Sequence, residues 1–108
     1  AMMTRLRQLC CDQRILYKDI QRITHEGKYS IFLVQGERKI RVRKTLKEIF
    51  EELTNYDFIW IDRGTICNLA FVECVHNGAI IMKNGDKFWI SRGKIKYFKQ
   101  LIQKYWGE

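Results

Sequence analysis

The sequence predicts a mainly β protein, built from antiparallel sheets with one or two short helices. Two observations lead there. Short stretches rich in Ile, Val, Phe, Tyr and Trp recur along the chain between Gly and Asn residues. Two Asn-Gly pairs, Asn77-Gly78 and Asn84-Gly85, then stand between such stretches as two-residue hairpin turns. Size agrees: 108 residues, 46% of them apolar and 14 aromatic, suffice for one domain with a real core and argue against disorder.

In chain order, strands are expected over roughly 5 to 11, 14 to 23, 29 to 34, 38 to 43, 58 to 61, 69 to 76, 79 to 83 and 86 to 90. The two Asn-Gly turns cut the stretch from Phe71 to Ile90 into a three-stranded meander. Counting back from them aligns Val75, Ile80 and Trp89 on one face and Cys74, Ile81 and Phe88 on the other. Both faces are apolar, so both need cover, by a second sheet or a packed helix. The first helix follows Thr45-Leu46-Lys47-Glu48, a capping box, with Leu46, Ile49, Phe50 and Leu53 at helical spacing. The second would be capped by Ser91, with Ile95, Phe98, Leu101, Ile102 and Tyr105 in one stripe opposite Lys94, Lys96, Lys99 and Lys104.

No apolar run approaches the roughly 20 residues a membrane span needs. Cys10, Cys11, Cys67 and Cys74 form no C-x-x-C pair, and only His25 and His76 could supplement a metal site, so neither metal nor cofactor is expected. Free cysteines without a signal peptide fit a reducing cytoplasm. Ala1 ahead of Met2 looks like a cloning scar, and residues 1–108 read as one domain. Paired-carboxylate, nucleophile-elbow and phosphate-cradling glycine patterns are all missing from the sequence, which argues against an enzyme.

Charge gives the functional direction. Twenty Lys and Arg against twelve Asp and Glu leave +8 at pH 7, which suits a polyanionic partner, nucleic acid first and an anionic membrane surface second. Six cations and no acid lie between Arg38 and Lys47. Strand alternation turns Ile40 and Val42 inward and puts Lys39, Arg41 and Arg43 on the other face, about 6.8 Å apart. The same stripe would protect an edge strand from aggregation. The helix that begins after Thr45 adds its free N–H groups beside the stripe. A second cluster, Ser91-Arg92-Gly93-Lys94, stands where a strand gives way to a helix. In a third, the apolar strand Phe58 to Ile61 ends in a polar loop offering Arg63, Thr65 and Asn68 to phosphates or base edges, though Asn68 taken alone is better read as a turn residue that bonds backbone.

Several pieces, in order, resemble the LytTR family of bacterial DNA-binding domains. They are Lys18-Asp19-Ile20 with Gly27-Lys28-Tyr29, Val42-Arg43-Lys44-Thr45-Leu46-Lys47-Glu48, Phe58-Ile59 through Arg63, Asn68-Leu69, and Lys83-Asn84-Gly85-Asp86 leading to Ile90-Ser91-Arg92, covering about residues 13 to 98. The resemblance implies elongated, stacked antiparallel sheets with one or two short helices, in a transcription regulator that is commonly the output of a two-component response regulator. It implies loops set into successive major grooves of double-stranded DNA. By position, Tyr29 falls in the first base-reading loop, Arg63 in the central contact loop, and Ser91 and Arg92 in the last. Lys44 and Lys47 would hold the DNA backbone near the helix start. A homodimer on repeated half-sites and an N-terminal receiver domain outside this chain are further expectations.

The chain departs from the family at two places. Trp60-Ile61-Asp62-Arg63-Gly64 stands where Arg-x-His-Arg-Ser is usual, and Gly93 where an arginine is frequent. These departures motivate a rival reading, a protein-interaction module that kept the fold and lost specific DNA reading, for which an exposed apolar patch around Trp60 would be the mark. Single-stranded nucleic-acid binding would instead require Tyr29, Trp60 and Trp89 exposed along one groove, against the expectation that Trp89 lies in the meander core.

Overall fold

The fold comes from a computed structural model, which describes residues 3–5, 14–53 and 57–107. The strand expected over 5 to 11 lies largely outside the described residues, as do Cys10 and Cys11. The chain divides into two compact units, Ala1–Ala70 and Phe71–Glu108, taken here in turn.

In the first unit β1 (Met3–Arg5) pairs antiparallel with β2 (Arg14–Leu16). After a 3-10 turn over Tyr17–Asp19 come β3 (Ile20–Glu26), β4 (Tyr29–Val34), β5 (Arg38–Val42), α1 (Leu46–Glu52), β6 (Phe58–Asp62) and β7 (Thr65–Asn68). These strands form an antiparallel sheet in the order β5-β4-β3-β7-β6. The β3–β4 hairpin closes through Gly27-Lys28, pairing Glu26 with Tyr29; Gly27 adopts φ +61°, a value that costs glycine little and other residues more.

The register builds the core. Ile40, Phe32, Ile23, Ile66 and Trp60 stand opposite one another across the five strands, and the first four are buried. Leu46, Ile49 and Leu53 of the α1 region join the same apolar cluster. Burying each such side chain contributes roughly 1.5–3 kcal/mol, so this cluster is a large favourable contribution to the unit's stability.

Two elements differ from expectation, the first being the strand expected over 14 to 23, which the 3-10 turn over Tyr17–Asp19 breaks into β2 and β3 of two different sheets. Thr65 to Asn68 is a strand rather than a polar loop, because Arg63 and Gly64 alone make the turn and Asp62 pairs with Thr65. Thr65 is therefore buried opposite Thr24, only 8% exposed, and does not face a ligand. Asn68 is buried too: its amide donates to the Ile20 carbonyl at 2.9 Å, and its Oδ1 accepts the Ala70 N–H at 3.0 Å.

In the same strand burial pushes the Cys67 thiol up from 9.0 to about 12. The folded-state value is the raised one, so the neutral thiol favours folding fully below about pH 9 and loses that contribution as pH climbs toward 12. We expect Cys67 to resist alkylation in the native protein while exposed Cys74 reacts, checked by peptide mass mapping before and after denaturation.

The second unit contains β8 (Val72–His76), β9 (Ala79–Met82), β10 (Lys87–Trp89), a 3-10 turn over Arg92–Lys94, and α2 (Ile95–Trp106). The strands form a meander in the order β10-β9-β8. Asn77 (φ 51°) and Gly78 (φ 78°) make the expected tight turn, and Val75 pairs with Ile80, Cys74 with Ile81. The next hairpin is one residue out of the expected register. Asn84 Oδ1 accepts the Asp86 N–H at 3.0 Å, and the Met82 N–H donates to the Asp86 carbonyl at 2.8 Å, so the loop lengthens to Lys83–Asp86.

Lys87 now faces Ile81, Phe88 faces Ile80 and Trp89 faces Ala79. A slip of one residue exchanges the faces. Trp89, expected in the core, is 73% exposed. Val72, Ile80 and Met82 are buried, and α2, which packs on β8, adds buried Phe98 and Ile102. Lys94, Lys96, Lys99 and Lys104 are exposed, as the helical stripe requires.

Candidate nucleic-acid interface

In an antiparallel sheet of this order, the end of β3, the start of β4, the end of β5, the end of β6 and the start of β7 all lie at one edge. The connections there meet around a cavity of about 270 Å³. The β3–β4 turn supplies Gly27 and Lys28, β4 supplies Tyr29 and Ser30, the β5–α1 junction supplies Lys44, Thr45 and Leu46, and the β6–β7 turn supplies Arg63. Four of the side chains singled out from the sequence, Lys28, Tyr29, Lys44 and Arg63, thus line one hollow.

The junction is held firmly. Buried Ser30 donates its hydroxyl to the Lys44 carbonyl at 2.6 Å, and the Lys44 N–H donates to the Val42 carbonyl at 2.9 Å. The capping box at Thr45 is complete: its hydroxyl accepts the Glu48 N–H at 3.1 Å, and its own N–H donates to Glu48 Oε1 at 2.9 Å. The bond from the Thr45 N–H, then that from its hydroxyl, holds the Glu48 carboxyl below its ordinary value. The capped state is therefore fully favoured above the ordinary glutamate range and weakens as pH falls through the depressed value. Thr45→Ala should cost about 1 kcal/mol in urea unfolding.

Beside the hollow, Lys39 and Arg41 are exposed on the face of β5 opposite Ile40 and Val42, and Arg43, just past the end of the strand, is exposed too. Arg41 sets its guanidinium 4.1 Å from the centroid of the Tyr29 ring, which fixes the phenol within the basic stripe. β5 is an edge strand, so its charges also discourage pairing with another chain. Lys44 Nζ lies 3.2 Å from Glu52 Oε2. A partly exposed pair of this kind is worth about 0–1 kcal/mol, so a phosphate can take the ammonium from Glu52 at little cost. Lys47 is exposed on the first turn of α1.

Asp62 is exposed at the end of β6. Its Oδ1 accepts the Gly64 N–H at 2.9 Å and so shapes the turn that presents Arg63. A Cβ at Gly64 would come within 3.0 Å of the His25 imidazole. His25 also lines the hollow, a position sequence reasoning missed. The available signal was its place two residues before Gly27, but its partner Gly64 lies on another hairpin.

Ser91, Arg92 and Lys94 belong to the second unit and are exposed. Ser91 does not cap α2 as expected: its hydroxyl makes no capping bond, and the 3-10 turn separates it from the helix start at Ile95. Trp60 is half-buried, with its ring 5.2 Å from that of Phe50 and packed on the core cluster, so it is not the exposed centre of an apolar patch. Among the described residues, no three His, Cys, Asp or Glu side chains are grouped to hold a metal ion, and no helix is long and apolar enough to cross a membrane.

A small β-rich domain offering cations and a tyrosine from one sheet edge is of the nucleic-acid-binding class. Residues 13–103 match the family model of the LytTr DNA-binding domain, and the chain belongs to that LytTR family of DNA-binding domains. Among solved structures it is similar to the LytTr DNA-binding domain of a Bacillus cereus protein assigned as a methyl-accepting/DNA response regulator. That likeness has a TM-score of 0.66 at 17% identity over 94% of this chain and 97% of the other. No curated protein matches the chain. The family is one of DNA-binding domains rather than enzymes.

Proposed function

We propose that this chain is the sequence-specific, double-stranded-DNA-binding domain of a bacterial transcription regulator, acting in the cytoplasm. The observation that carries the reading is the hollow at the sheet edge, where Lys28, Tyr29, Lys44 and Arg63 converge from three separate connections. Lys28, Arg41, Arg43, Lys44, Lys47 and Arg63 contact phosphates, and His25 adds a ring nitrogen beside them. Tyr29 enters one major groove. Ser91 and Arg92, with Lys94 on the backbone, serve the next, Arg92 supplying the bidentate contact that reads a guanine. The partner domain is a receiver N-terminal to this chain, and two copies pair on repeated half-sites.

Selection of bound duplexes from a random pool tests this reading, because it reports affinity, motif and half-site spacing together. An enriched, repeated motif is expected. Arg92→Ala should relax the preference at one base pair by about 1–3 kcal/mol while leaving the rest of the motif intact. A pool that emerges unselected would overturn the claim of sequence reading.

A further inference from the structure

The hairpin slip leaves Trp89, at 73%, the most exposed large apolar side chain among the described residues, and the DNA contacts proposed above give it no task. The chain that follows Asp86 is rich in cations. From residue 87 to residue 107 the chain carries Lys87, Arg92, Lys94, Lys96, Lys99 and Lys104 and not one acidic residue. Lys87 projects from the same face of β10 as Trp89, and Ser91 and Arg92 follow it directly, both exposed. The indole is also firmly presented: Trp89 pairs with Ala79, and the next residue donates its N–H to the Gly78 carbonyl at 2.9 Å. A rigid aromatic side chain loses little entropy on binding.

An exposed indole among cations complements a surface that is anionic at its phosphates and apolar at its sugars and base faces. We infer that Trp89 is a DNA-contact residue, packing its ring on a deoxyribose or base edge while Lys87 holds a flanking phosphate. This rests on the DNA-binding reading above and extends it to a residue that charge and hydrogen-bonding arguments pass over. The contact is apolar, so its loss should weaken binding without changing the salt dependence.

Two measurements on the full chain test it at low salt with a duplex of mixed sequence, unlabelled in the first and fluorescein-labelled in the second. In the first, Trp60→Phe and Trp106→Phe leave Trp89 as the sole indole, and its emission is followed as duplex is added. In the second, Trp89→Ala is compared with the unaltered chain by anisotropy of the labelled duplex. The inference expects Trp89 emission to change on binding and Trp89→Ala to weaken affinity about tenfold at an unchanged salt slope. Duplex binding with silent Trp89 emission and undiminished affinity of the variant would overturn the inference and leave the DNA-binding reading standing. No duplex binding by the unaltered chain would overturn that reading and the inference with it. A change of Trp89 emission with protein concentration alone would assign the indole to contact between copies and overturn the inference.

Discussion

Arg63→Ala is expected to weaken binding to every duplex by about 10- to 100-fold, the loss of one charge-assisted hydrogen bond worth ~1.5–3 kcal/mol. Arg63 occupies a two-residue turn whose other member, Gly64, is fixed by the Asp62 carboxylate, so the guanidinium is presented from a rigid support. It lines the hollow with Lys28 and Lys44. The contact proposed for it is to backbone phosphate, so the deficit should be the same for specific and mixed sequences, with the salt slope falling by about one unit. Anisotropy titrations of both duplexes provide the measurement. A deficit confined to one sequence would move Arg63 from the phosphates to a base edge.

The second large effect is on stability. Asn68→Ala should destabilise the chain by about 2–4 kcal/mol, because two backbone groups lose their partner and each buried group left unpaired costs about 1–3 kcal/mol. The side chain is 4% exposed and joins the Ile20 carbonyl, 48 positions away, to the Ala70 N–H. Against a typical domain stability of about 5–15 kcal/mol this is a large share. Urea unfolding should give a lower midpoint at an unchanged slope. An unchanged midpoint would mean that Asn68 is the loop residue its sequence context suggests.

What was legible in the sequence was local. Asn77-Gly78 and the Thr45 capping box each act within four residues, and the turn and helix start they specify form as read. The inward set of Ile40 and Val42 against outward Lys39 and Arg41 also follows from strand alternation alone. What was not legible depends on partners distant in sequence or on competing local bonds. β7 was missed because Arg63-Gly64 lacks the Asn-Gly signature, and because Thr65 and Asn68, polar at both ends of a short apolar pair, are buried by neighbouring strands. The slip at β10 comes from the side-chain bond of Asn84, which outweighs the two-residue turn that Asn84-Gly85 suggests.

For the candidate site, cationic residues were visible as a run, and the structure adds which of them share a hollow. His25 could not be placed from the sequence, since nothing near it announces that a cross-strand neighbour lacks a Cβ. Ser91 looked like a helix cap because the intervening 3-10 turn leaves no composition signal.

The most direct test of the account is the affinity for duplex DNA measured across a series of salt concentrations. Lys28, Arg41, Arg43, Lys44, Lys47 and Arg63, joined by Lys87 and Lys94, are six to eight candidate phosphate contacts. At about −0.9 for each neutralised phosphate they predict a slope of about −5 to −7 in log K against log salt. A slope near zero, or no duplex binding at low salt, would contradict the claim that these side chains grip a double helix.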